Sequence, residues 1–290
     1  MYATELPVRP FRFGVNMVGH STGEEWRARC RRAEELGYDR ILVADHLGMP
    51  APFPALVAAA AVTSRPRLGT FVLNAGFWNP ALLAREVATT QALTDGRLEL
   101  GIGTGYVREE HEAAGIDFLP PGERVALLER TVEELDRHLD GQAPPLLIGG
   151  NGDRLLRLAA RRAEVAAFTG GRTESGRVRV LTAEELDARV AAYTRFEREA
   201  GREAPAERNL LVQRVVLTED RAAAVAEFLP HVPYLTEKQA LELPLLLVGT
   251  VREIADRLRA QRARYGFSYV TVLQDSMEAF GEVVAELRKD

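Results

Sequence analysis

His46 is the residue in this chain best suited to moving a proton. It stands beside Asp45 at the end of the short apolar run "YDRILVADH" (38–46). An imidazole titrating near neutrality can give or take a proton without a large driving force. A structural histidine bonding a loop carbonyl is the competing reading, and Asp45 fits a turn or helix cap as well as a polar contact to a ligand. A second stretch, "GRLELGIGTGYVREEHEAAG" (96–115), places Gly101, Gly103 and Gly105 at alternate positions where a strand runs into a helix. The dinucleotide fingerprint is G-x-G-x-x-G after a first strand. Here the spacing is G-x-G-x-G after the fourth strand, so that reading fails on spacing and on position. Such glycines admit a bound group to close approach or allow tight strand-to-helix packing.

Gly149, Gly150 and Asn151 precede a helix whose free N–H groups suit a phosphate. Thr169, Gly170, Gly171 and Arg172 end the next strand, where they are placed to complete that clamp. Two ordinary loops leading into helices are the alternative. The run Glu109, Glu110, His111, Glu112 has the residue types of a metal site. Adjacent residues fan around a helix instead of converging, so the run reads as a solvated helix start, and no metal is expected. The single cysteine, Cys30, excludes an internal disulfide and a cysteine metal cluster and reads as a packing residue. His20, His138 and His231 lack partners at recognisable spacing and read as surface or packing residues. Phe77 and Trp78 fit a pocket wall and the core equally.

The elements that must position these residues alternate strand and helix. "FRFGVNMV" (11–18) is a first strand; Ser21 and Thr22, each three residues before a glutamate, offer a capping box to a helix ending near Gly37. The run 38–46 is a second strand, "PALVAAAAVTS" a helix and "RLGTFVLNAG" a third strand. Asn79-Pro80 opens the next helix. "GRLELGIGTG" is the fourth strand, and Val125, Leu128, Val132, Leu135 and Leu139 form a buried helical stripe over 122–140. "PPLLIGG", "EVAAFTGG", "NLLVQRVVLT" and "FSYVTVLQ" supply strands five to eight, with a helix capped by Thr182 and Glu185 after the sixth. Eight strands with helical crossovers predict an α/β chain, a single domain over 1–290 closed as a (β/α)8 barrel. A doubly wound sheet stays open as the alternative, because closure is invisible in sequence. In a barrel the strand ends Asn16, Asp45–His46, Val72–Asn74, Thr104–Tyr106, Gly149–Asn151 and Thr169–Gly171 all open on one face.

The 290 residues carry a net charge of −5 spread along the chain, which argues against a nucleic-acid partner. No run of apolar residues reaches membrane-spanning length and no charged-then-apolar leader is present, so a cytoplasmic protein is expected.

"LGTFVLNAGFWNPALLAREVATTQALTDGRLELGIGTG", "PPLLIGG", the "DH" closing the second strand and "LLVGTVREIADRL" together resemble the bacterial luciferase-like (LLM class) superfamily of flavin- and deazaflavin-dependent oxidoreductases. More narrowly, the chain resembles an actinobacterial subgroup assigned to the deazaflavin coenzyme F420. The resemblance covers nearly the whole chain and implies a luciferase-like TIM barrel. It implies hydride transfer between the deazaflavin C5 and a small organic substrate. The alternatives are an FMNH2-dependent two-component monooxygenase, with FMN as cofactor, and a noncatalytic flavin-binding member.

By the same resemblance His46 and Tyr106 are the catalytic residues. Asp45, Phe71, Val72, Asn74, Gly103, Thr104, Gly105, Gly149, Gly150, Asn151, Thr169 and Gly170 hold the cofactor, and the Phe71–Val72 peptide is cis, in a bulge that backs the ring. Tyr106 stands where sugar-phosphate-oxidising F420 relatives carry an acidic proton donor, which argues against that substrate while leaving a hydroxyl able to donate. A homodimer and a flavin reductase or F420-reducing enzyme are the implied partners. The long insertion of most relatives between Ile116 and "PPLLIGG" is cut here to one helix plus "DGQAPP", implying a pocket more open or completed by a partner subunit.

Overall fold

Eight parallel strands close on themselves in sequence order. The computed structural model describes residues 9–19, 22–174 and 177–289; His20 and Ser21 lie outside the described residues. The strands are β1 (Arg12–Met17), β2 (Arg40–Val43), β3 (Arg67–Thr70), β4 (Leu98–Gly103), β5 (Leu146–Gly149), β6 (Val165–Phe168), β7 (Glu207–Val212) and β8 (Phe267–Leu273). Each pairs in parallel with the next, β8 returns to β1, and the pairs Leu68–Leu98 and Gly69–Glu99 join β3 to β4. That closure excludes the doubly wound alternative. Above Gly69 the β3–β4 ladder stops. There the Thr70 hydroxyl donates to the Gly101 carbonyl at 2.7 Å and accepts from the Gly101 N–H at 2.9 Å, so neither backbone group is left unpaired in the core.

Local signals set the helices. Thr22 and Glu25 form a full capping box on Gly23–Glu35, and Thr182 and Glu185 form another on Ala183–Glu199. The Asn79 side chain accepts from the N–H groups of Ala81 and Leu82, with Pro80 first in the helix Pro80–Leu93. The buried stripe expected over 122–140 lies on the helix Pro121–Leu139. No described helix is long and apolar enough to cross a membrane.

Three strands depart from the sequence expectation. The third breaks at a cis Phe71–Val72 peptide and resumes only as the pair Leu73–Asn74, before a tight turn at Ala75–Phe77. The seventh breaks at Gln213: β7 stays in the barrel, while Arg214–Leu217 pairs with Leu246–Gly249 outside it. A continuous apolar run cannot reveal which partner each half will choose. After the sixth, Gly171–Glu174 and Arg177–Val180 form an antiparallel hairpin.

Of three apolar clusters among the described residues, one packs residues 225–248 outside the barrel, and the other two hold the barrel itself. The larger lies between strands and helices and includes Val15, Ile41, Ile102, Val132, Phe168 and Phe280. Cys30 belongs to it, and burial pushes its thiol up to about 12, as befits a packing residue. The smaller fills the barrel interior with Leu42, Phe71, Leu147, Val165, Ala167 and Tyr269. Below it, at the strand starts, charge replaces hydrocarbon. Arg40 pairs with Glu99 at 3.1 Å with side chains only 8% and 3% exposed, and the Tyr269 hydroxyl donates to Glu99 at 3.3 Å. Arg12 Nε donates to Glu207 at 3.0 Å, and the Arg12 and Arg40 guanidiniums lie 5.3 and 5.8 Å from the Tyr269 ring centre. The bottom is thus plugged and the opposite face left for a site, as in other closed α/β barrels.

Candidate functional site

Three loops at the carboxyl ends of β2, β3 and β4 tie the site together. After β2, Asp45 Oδ2 accepts from the Trp78 indole N–H at 2.9 Å and from the Asn74 backbone N–H at 3.1 Å. Burial pushes the Asp45 carboxyl up, opposed by those two hydrogen bonds and by the neighbouring His46. His46 follows, and its Nδ1 faces both oxygens of Glu110, at 2.9 and 3.1 Å. A carboxylate only accepts, so Nδ1 carries the hydrogen and the neutral ring keeps Nε2 as its lone-pair nitrogen. The His46 side chain is 24% exposed, and Nε2 has no protein partner among the described residues. The Tyr106 ring meets His46 edge-on at 5.7 Å and 80°. Burial and the nearby Glu110 raise the Tyr106 hydroxyl above its ordinary range. His46 and Tyr106, the two expected catalytic residues, therefore stand side by side.

The run 109–112 needs correction. Glu109 and Glu112 are exposed, as a solvated helix start requires, but Glu110 and His111 turn inward from the helix Arg108–Ala113. His111 is buried. The Asn74 side-chain oxygen accepts from the Gly76 N–H at 3.0 Å, which turns its NH2 group to donate to His111 Nε2 at 2.9 Å. His111 Nδ1 is then the protonated nitrogen, directed at the Asp117 carbonyl at 3.3 Å. Phe77 and Phe118 pack on its ring, each at 5.1 Å. Both partners, His46 and Asn74, are far away in the chain, so residue types and local spacing carried no signal of this. Among the described residues no group of three or more ligating side chains could hold a metal.

The three glycines face protein. A Cβ on Gly101 would stand 2.0 Å from the Thr70 carbonyl oxygen, one on Gly103 2.9 Å from Val72, and one on Gly105, whose φ is +66°, 2.3 Å from Asn74. Gly149 would add a contact to Val72 at 3.3 Å. Their missing side chains make room for the bulge around Phe71–Val72, and half-buried Val72 becomes an apolar shelf between β4 and β5. Replacing Gly101 with alanine is therefore expected to destabilise the protein by about 2–3 kcal/mol, since a backbone oxygen cannot swing aside. Urea unfolding checks this. A loss under about 0.5 kcal/mol would mean that β3 and β4 can part freely.

After β5, Asn151 donates to the Thr169 hydroxyl at 2.7 Å and to the Gly171 carbonyl. This joins the loops after β5 and β6. The Gly150 N–H extends the ladder to Ala167 at 2.9 Å. The helix Asp153–Arg162 that follows has no side-chain cap at its start, leaving its first N–H groups to solvent or a ligand. Gly170, at φ +62°, faces Leu245 and shapes the loop. Asn16 reaches the Phe71 carbonyl at 3.4 Å, and its own buried oxygen has no partner. Arg124 donates to the Gly105 carbonyl and lies 4.3 Å from the Phe118 ring centre, fixing the loop after β4. Phe77 packs on His111, and Trp78 bonds Asp45 and packs edge-on against Phe53 at 5.3 Å, which fits the packing reading.

A closed α/β barrel with an apolar shelf, a half-buried histidine held by a carboxylate and an open helix start at its carboxyl mouth is the class that fold and site define. The chain belongs to the luciferase-like monooxygenase family, whose model it matches over residues 8–269. It is 42% identical over 112 residues to the F420-dependent glucose-6-phosphate dehydrogenase of Kribbella flavida, covering 35% of this chain and 33% of that one. It is 29% identical over 198 residues to the enzyme of that name from Nakamurella multipartita, covering 57% and 58%. The chain thus spans between a third and three-fifths of these curated relatives. Its fold is similar to that of an F420-dependent secondary alcohol dehydrogenase in complex with an F420-acetone adduct, with TM-score 0.76 and 16% identity over 97% of this chain and 100% of that one. It is equally similar to a long-chain alkane monooxygenase, with TM-score 0.76 and 15% identity over 97% and 92%.

Proposed function

We propose that this protein is an F420-dependent oxidoreductase acting on a small alcohol or carbonyl compound. The observation that carries the reading is the Val72 shelf, with His46 and Tyr106 on one side and the uncapped helix start on the other. The residues fit such a cofactor. Val72 and the Phe71–Val72 peptide would support an aromatic ring system; Asn16, with its unpartnered oxygen, and Asn74 stand near its polar edge. Gly149–Asn151, Thr169, Gly170 and the start of the helix Asp153–Arg162 would hold a phosphate. Bound F420 supplies a carbon centre that gives or accepts hydride. His46 takes the accompanying proton at Nε2 during alcohol oxidation, or returns it during carbonyl reduction. Tyr106 stands beside it at the mouth as a further hydroxyl donor. A homodimer, a cytoplasmic setting and an enzyme that reduces the cofactor complete the reading.

FMN in an oxygen-using reaction is the second reading, favoured by the likeness to the alkane monooxygenase. One phosphate and one ring system satisfy both. Titration with F420 and with FMN, following emission from Trp78 beside the site and buried Trp26, separates them. Micromolar F420 binding with weak FMN binding is expected. The reverse order moves the protein to the second reading, and no response to either overturns both.

A further inference from the structure

We propose that Glu110 is a positioning residue that sets the tautomer and the basicity of His46. The inference rests on the reading above, in which His46 moves the proton, but its geometry stands independently. Asp45 accepts from the Asn74 backbone, Asn74 donates to His111, Glu110 adjoins His111 in the chain, and His46 donates to Glu110 while adjoining Asp45. Three hydrogen bonds and two peptide links thus form a closed circuit through the loops after β2, β3 and β4. Among the described residues, His46 Nε2 is left without a protein partner.

The buried ring of His111 anchors the short helix Arg108–Ala113, and that anchor holds the Glu110 carboxylate against Nδ1. The same carboxylate is placed against the ring to stabilise an imidazolium when Nε2 gains a proton. The titratable groups facing His46 are Glu110 from the helix, Asp45 from its own loop and Tyr106 from the loop after β4. Replacing Glu110 removes the one bonded to its ring. In alcohol oxidation the balance is simple. The O–H proton would go to His46 Nε2 as the C=O bond forms, and a deazaflavin held on the Val72 shelf would supply the acceptor for the carbinol hydride.

The test reads His46 directly, in the full-length protein without cofactor. Two-bond proton–nitrogen correlation on 15N-histidine-labelled protein, assigned against His46→Gln, is expected to show the Nδ1–H tautomer. Glu110→Gln should lower the His46 titration midpoint by about one pH unit, and Glu110→Asp should restore most of it. The His111 signals report whether the loop has kept its shape. If they move in Glu110→Gln, the decision passes to Glu110→Asp, and failure of that variant to restore the midpoint overturns the proposal. An Nε2–H tautomer in the parent protein, or an unchanged midpoint in Glu110→Gln, also overturns it. In turnover, Glu110→Gln is expected to lower kcat for alcohol oxidation about tenfold or more, with the acidic limb of the pH profile displaced to lower pH and KM little changed. A protein that binds no F420 yet shows the Glu110-dependent titration would retain this inference while losing the proposed function.

Discussion

Replacing His46 with alanine is expected to lower kcat by about 10²–10³-fold while cofactor affinity changes less than tenfold, the size of effect that general acid–base catalysis supplies. The reason is the placement of Nε2. The ring is held through Nδ1 by Glu110 and flanked by Tyr106, while Nε2 has no hydrogen-bond partner among the described residues. Alanine removes the proton acceptor but leaves the Val72 shelf and the loops after β5 and β6 intact. Steady-state kinetics alongside cofactor titration would check the split. Unchanged turnover would move proton transfer to Tyr106 or solvent. Unchanged cofactor binding with no turnover in the parent protein would favour a noncatalytic binder.

The second large effect belongs to the barrel floor. Glu99→Ala is expected to destabilise the fold by about 3–5 kcal/mol, because it strands a buried guanidinium and deprives the Tyr269 hydroxyl of its acceptor. The cost lies in the unpaired charge more than in the lost attraction. Converting both members of the pair, as in Arg40→Met with Glu99→Leu, should therefore cost clearly less than the single change. Urea unfolding of the parent, the single variant and the double variant decides the matter. A single-variant loss below about 1 kcal/mol would mean that water reaches Arg40 from below.

These two sites show how differently parts of the molecule could be read. His46 announced itself by its residue type and its place at a strand end. The helix starts at Thr22, Asn79 and Thr182 were equally legible, since cap and capped N–H groups lie within three residues of one another. The position of the cis Phe71–Val72 bond came from resemblance, and the structure contains it. The partners of Arg40 and of His46 could not be read. Glu99 is 59 positions from Arg40, and Glu110 is 64 from His46. Within the run 109–112, a charged residue facing solvent and one facing a histidine look alike in sequence.

What the amino-acid order determined by itself is the alternation of eight strands with helices, the caps that start several of those helices, and the face on which the chemistry gathers. Periodicity and capping act over a few residues, so they are written locally. Tertiary structure alone decided that β3 and β4 close the barrel, that Gln213 divides one strand between two sheets, and that Gly101, Gly103 and Gly149 accommodate the Thr70–Val72 bulge. It also decided which nitrogen of His46 faces the Glu110 carboxylate. Each of these depends on a hydrogen bond or a steric contact between segments distant in the chain, and such a partner exists only once the fold has brought the segments together.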